Sequence, residues 1–131
     1  MEHLHPYDAR EQLAGIFAAL APGGRYLCIT PSRLTGPHDI SASFDDEATG
    51  FHLREYTTAE LRRLLREAGF ARVDALVKAR GVVAAVPAAA LGAVEESLEA
   101  LPRGSGRQLA RGTPLRKLFI GAVVATKPAG A

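Results

Sequence analysis

Glu2, His3, Arg33, His38, Asp39 and His52 carry the side chains in this chain best suited to moving a proton or holding a polar ligand. Imidazole is the natural base near neutral pH, which makes His3, His38 and His52 candidates for removing a proton from a reacting group. Arg33 offers a planar fork of donors that could clamp an anionic substrate, or pair with Asp45 or Asp46 on the surface. Imidazole and carboxylate are also ordinary metal ligands, so Glu2, His3, His5, His38, Asp39 and His52 could also suggest a metal site. Their spacings match no established metal motif, and no metal is expected. Ser32 lacks the G-x-S-x-G surroundings of a hydrolase nucleophile, and Tyr56 reads as a packing residue.

These residues cluster around the end of one predicted strand. Gly23 and Gly24 close a preceding helix, Arg25–Thr30 reads as a buried strand, and Pro31 ends its pairing. Ligands of open α/β sheets collect outside the carboxyl ends of strands, where Ser32, Arg33, His38 and Asp39 fall. The long polar segment 31–56 is expected to be an active-site lid.

Helical spacing of Ala9, Leu13, Ile16, Phe17 and Leu20 predicts a helix over Asp8–Leu20, capped by Asp8. Thr57 and Glu60 form a capping box for a second helix, Thr58–Ala68. Phe70–Val77 is expected to be a strand that Gly81–Val86 continues. A third helix, Pro87–Leu101, carries the stripe Leu91, Val94, Leu98 and Leu101, with Glu95, Glu96 and Glu99 turned to water. The connector Pro102–Thr113, including Arg103-Gly104-Ser105-Gly106-Arg107, reads as a loop. Leu118–Thr126 is the last predicted strand, closed by Lys127-Pro128, and the last residues, Pro128–Ala131, are expected to be frayed. Residues 87–113 thus form a helix and basic connector inserted before that strand.

The chain has 131 residues, 47% apolar and 23% charged, which suits one globular domain and excludes disordered or collagen-like classes. Arg103, Arg107, Arg111, Arg116, Lys117 and Lys127 form a basic run without acidic residues. It has no nucleic-acid motif and few aromatics, so it is read as a solvated face, not a nucleic-acid partner surface. No apolar stretch is long enough to cross a bilayer. The single cysteine, Cys28, lies inside an apolar run, and a cytoplasmic location is expected.

Glu2-His3-Leu4, LAPGGRYLCI, TPSRLTGPHDIS and FHLREYTTAEL with its following AGF together resemble the class I S-adenosylmethionine-dependent methyltransferases. The resemblance runs over about Met1–Thr126. It implies an α/β fold corresponding to the carboxyl half of a Rossmann-like sheet, with three strands in the order 5-7-6 and the last one antiparallel. Residues 1–131 would then be a partial domain without the glycine-rich turn and acidic residue that grip the cofactor. The resemblance implies S-adenosylmethionine as cofactor, Glu2 and His3 beside it, His3 as the catalytic residue, and Arg33, His38, Asp39 and His52 near the acceptor. The expected activity is methyl transfer to a small-molecule acceptor, inactive unless a further polypeptide supplies the missing half. The alternative is a non-catalytic interaction module.

Overall fold

The computed structural model describes residues 1–112 and 114–130, without the side chain of Arg103. Thr113, which closes the connector predicted from the sequence, lies outside the described residues. Helix α1 spans Pro6–Ala19 and starts two residues before its predicted cap. Proline's fixed φ and missing N–H suit the first helical position. His5 is therefore the N-cap, without a side-chain bond, and Asp8 sits inside the first turn. Ala9 and Leu13 are its buried residues.

The carboxyl end of α1 has no basic residue of its own. Lys127 fills that role from the far end of the chain, donating Nζ hydrogen bonds of 2.7 Å to the carbonyls of both Phe17 and Leu20. A cation there satisfies orphan carbonyls and complements the helix dipole. The start of the expected frayed end is tied in: Gly23 N donates to Pro128 O, and just before it Lys127 N donates to Gly24 O.

The sheet contains β1 (Arg25–Ile29), β2 (Arg72–Ala79), β3 (Val82–Pro87) and β4 (Ala122–Thr126), in the order β1-β4-β2-β3. Every ladder is antiparallel. This corrects both the strand count and the order expected. Strand β4 lies between β1 and β2, but β3 folds back as a hairpin partner of β2 instead of continuing it. The cause is the two-residue turn Arg80-Gly81, at φ 49° and 82°. Two consecutive positive φ values give a turn whose twist matches a hairpin.

The register sorts the faces. Tyr26 and Cys28 align with Ala125 and Val123, and these with Val73 and Ala75. All six join one core with Leu13, Leu61, Leu65 and Phe70 from the helices and their connections. The other face is different: Leu27 and Ile29 of the edge strand β1 are 51% and 68% exposed. The predicted buried strand is thus buried on one face only.

Helix α2, Thr58–Glu67, has both halves of the predicted capping box. Helix α3, Ala88–Glu99, follows directly on Pro87. Its expected polarity fails at Glu95, which is 1% exposed, while Val94 is 46% exposed. Glu95 accepts hydrogen bonds from the Thr58 amide (2.6 Å) and hydroxyl (2.8 Å) and so caps α2 from a neighbouring helix. Burial, only partly offset by these Thr58 bonds, raises its carboxyl to about 6. Segment 102–112 is not a loop. A 3-10 turn, Pro102–Gly104, leads into helix α4, Ser105–Arg111. Gly106 is required there, because a Cβ would lie 1.6 Å from the Leu98 carbonyl oxygen of α3.

The basic run is broken up by carbonyl contacts. Arg107 reaches Asp46 O and Arg111 reaches Gly36 O, joining α4 to segment 31–56. Only part of the run behaves as the expected solvated face.

Candidate active site

Segment 31–56 leaves and returns at one place. Ser32 and Tyr56 form a parallel bridge, and Arg33 N donates to Tyr56 O. Between them, two carboxylates organise the backbone. Asp39 accepts from Ser41 N and Oγ, from Gly50 N at 3.1 Å and from His52 N at 2.9 Å. Those bonds, led by the Ser41 hydroxyl, hold its carboxyl far below the usual aspartate range. Glu55, a buried residue, accepts from His38 N at 2.7 Å and from His52 Nδ1 at 2.8 Å. Gly36 makes room for it, since a Cβ there would sit 1.9 Å from Glu55 Oε2.

The segment around Glu2 is stitched to this loop through backbone bonds from Leu53 N and Arg54 N to Glu2 O. Glu2 Oε2 accepts from Thr30 Oγ1 at 2.9 Å, at the end of β1. Burial works to raise the Glu2 carboxyl, but backbone and Thr30 hydrogen bonds outweigh it and the group stays below its ordinary value. His3 Nδ1 lies 3.0 Å from Phe51 O, and its ring is 5.0 Å from that of His52. His3 and His52, 49 positions apart, thus meet.

Beside them a cleft of about 450 Å³ is lined by Glu2, Thr30, Ser32, Thr35, His38 and Arg116 among others. The Ser32 hydroxyl is buried without a hydrogen-bond partner. His38 Nε2 lies near Thr35 Oγ1 and Ser32 O, so this imidazole borders the cleft.

The structure therefore gathers Glu2, His3, His38 and His52 at the carboxyl end of β1. Arg33 is turned away. Its guanidinium bridges Glu60 (3.0 Å) and Glu99 (3.3 Å), not Asp45 or Asp46. Glu60 also takes Arg54 at 2.8 Å. Asp39 has its oxygens occupied by the loop it shapes. Tyr56 is 2% exposed and packs in the core, as its packing reading requires. Sequence reasoning missed Glu55 and Arg116. Nothing in the spacing around Glu55 marks it, because its partners His52 and His38 lie three and seventeen residues earlier in the same segment and meet it only through the loop's fold.

A probable S-adenosylmethionine-dependent methyltransferase of Mycolicibacterium smegmatis (strain ATCC 700084 / mc(2)155) is 40% identical to this chain over 76 residues. The match takes in 58% of this chain and 27% of the relative, so the chain corresponds to roughly a quarter of that protein. This supports a relationship to methyltransferases at the level of the general reaction. No family model and no solved structure matches the chain.

Among the described residues no strand passes through a glycine-rich turn into a helix. The amino end of α2 is filled by the carboxylates of Glu60 and Glu95. These residues alone do not fit the carboxylate and ribose of S-adenosylmethionine. Among the described residues no helix is long and apolar enough to cross a membrane.

Proposed function

We propose that this chain carries the acceptor side of an S-adenosylmethionine-dependent methyltransferase acting on a small molecule. The observation that supports it is the meeting of Glu2, His3 and His52 beside the cleft at the end of β1, in a chain with a methyltransferase relative. His3 is the catalytic residue: Phe51 O can only accept, so Nδ1 carries the proton and Nε2 is left free to take one from an acceptor. Glu2 and His3 flank the side from which S-adenosylmethionine would be presented. His38 and His52 contact the acceptor, while Arg33 and Asp39 support it indirectly by fixing the loop.

The cofactor-gripping half comes from a further polypeptide segment, and this chain alone is inactive. The exposed Leu27 and Ile29 give that segment an apolar strand edge to cover. The free, buried Cys28 supports a reading of the protein as cytoplasmic. The same open edge favours a second reading, a non-catalytic interaction module.

The deciding experiment joins the chain to a methyltransferase cofactor half and compares His3→Ala with the parent. Turnover should fall about a hundredfold with the fold intact, the usual size of a lost general base. Unchanged turnover would remove His3 from the chemistry. Failure of the parent to methylate any of a panel of hydroxylated small molecules would favour the module.

A further inference from the structure

The three side chains that meet at the end of β1 have an arrangement that a proton-transfer role does not require. One ligand atom from each of Glu2, His3 and His52 lies within 4.8 Å of the other two. His3 Nε2 is 3.7 Å from Glu2 Oε1. Ligand atoms about 2.0–2.1 Å from a tetrahedral ion sit about 3.3 Å apart, so closing this triangle needs only small side-chain shifts. By the same geometry, two imidazoles on one ion have ring centres about 5 Å apart. The rings of His3 and His52 are 5.0 Å apart and 68° inclined.

The outer contacts sharpen this. His3 Nδ1 is held by a backbone carbonyl and His52 Nδ1 by the Glu55 carboxylate. Both are the acceptors that usually fix metal-ligating histidines, and in each ring the partner engages Nδ1. Each imidazole therefore keeps its Nε2 lone pair for a ligand. Glu2 is fixed separately, through Oε2 to Thr30, which leaves Oε1 on the side of His3.

We propose that Glu2, His3 and His52 form a binding site for a divalent first-row transition cation, with Glu55 as the positioning residue for His52. Two imidazoles and one carboxylate suit zinc, iron, cobalt or manganese, whereas magnesium favours carboxylates and water. Three protein ligands leave coordination positions open to an oxygen from a hydroxylated acceptor. Such a cation lowers the pKa of a bound hydroxyl, and the released proton passes to solvent. With the cation bound, His3 Nε2 is a ligand and no longer a base, so the cation takes over the activation that His3 supplies in the metal-free reading; the site goes beyond that reading and is judged on cation binding alone, without a methyl donor.

The test is titration of the full chain with zinc chloride, and in parallel with cobalt chloride monitored by visible absorption. One ion per folded chain and a cobalt spectrum with imidazole ligation are expected. His52→Ala should weaken zinc binding at least a hundredfold, and Glu55→Gln about ten- to a hundredfold. His5→Ala, two residues from His3 and outside the cluster, should leave binding unchanged. Circular dichroism checks each fold. Should His52→Ala unfold, His3→Gln replaces it, because His3 is 63% exposed on its side chain and bears little packing. Absence of stoichiometric zinc binding overturns the site. So does binding that survives His52→Ala, which would assign the ion to His3 and nearby donors alone. Zinc binding by a chain whose reconstituted enzyme methylates nothing would leave this site standing and remove the function.

Discussion

The helix side of the molecule and the loop side spend their carboxylates differently. Between α2 and α3, Glu95 is sealed in the core while Glu60 and Glu99 are matched by Arg33 and Arg54. At the end of β1, Asp39 and Glu55 hold backbone amides and one imidazole instead, and no arginine approaches within ion-pair distance of either among the described residues. Glu95 and Asp39 perform the same local task with their carboxyls shifted in opposite directions: burial drives Glu95 up to about 6, while hydrogen bonds led by the Ser41 hydroxyl drive Asp39 down. Charge is neutralised where helices must lock. Where the histidines meet, Glu2 is matched by the Met1 ammonium at 3.3 Å instead of by an arginine.

The sharpest way to break the comparison is Glu95→Ala. It strands the Thr58 amide and hydroxyl in the core and opens a cavity, so stability should fall by about 3 kcal/mol or more in urea denaturation. A loss comparable to a surface substitution would mean that Glu95 does not hold the helices together.

Glu95→Gln addresses the charge alone. A folded pKa of about 6 against an ordinary 4.5 means that the folded chain binds the proton more tightly. The stabilising contribution is full below about 4.5 and is lost as pH rises through 6. About 2 kcal/mol should disappear over that window in the parent and not in Glu95→Gln. Parallel pH curves for the two proteins would refute it.

Gly36→Ala tests the loop side. The new Cβ collides with Glu55, and overpacking of this kind costs about 1–3 kcal/mol. His52 should lose its Nδ1 partner, visible as changed imidazole nitrogen chemical shifts by nuclear magnetic resonance. Retention of the parent shifts would show that Glu55 does not position His52.

The smallest global effect is expected for Asp39→Ala. Amide exchange at Ser41, Gly50 and His52 should accelerate while the sheet stays protected. In the parent, that protection should persist down to about pH 4 and fail only in stronger acid, because the folded carboxyl is depressed. Unchanged exchange at those three amides would remove Asp39 as the loop's organiser.

Short-range chemistry was the legible part of the sequence. The Thr57–Glu60 capping box and the proline that ends β1 act within a few residues, and both are present. Arg80-Gly81 was harder, because arginine rarely takes positive φ and two apolar runs on either side look like one strand. Glu95 misled for a related reason. Its position falls on the stripe with Leu91 and Leu98, but a carboxylate there is normally read as facing water. Its partner, Thr58, is 37 residues earlier. The histidines were legible by type, whereas their meeting depends on Glu2 O holding the backbone of Leu53 and Arg54, which no local pattern encodes.

The place of β4 between β1 and β2 sets an order of events during synthesis. Strands β1 and β2 share no ladder; each pairs with β4, and Lys127 just beyond it closes α1. At about 5–20 residues per second, β1 waits roughly 5–20 s on the ribosome for its neighbour. Through that interval the hairpin of β2 and β3 can form by itself, while β1 and α1 are exposed to chaperones and to other nascent chains. A stop codon just before Ala122 would leave that exposure permanent, and proteolysis of β1 should then outpace that of the hairpin.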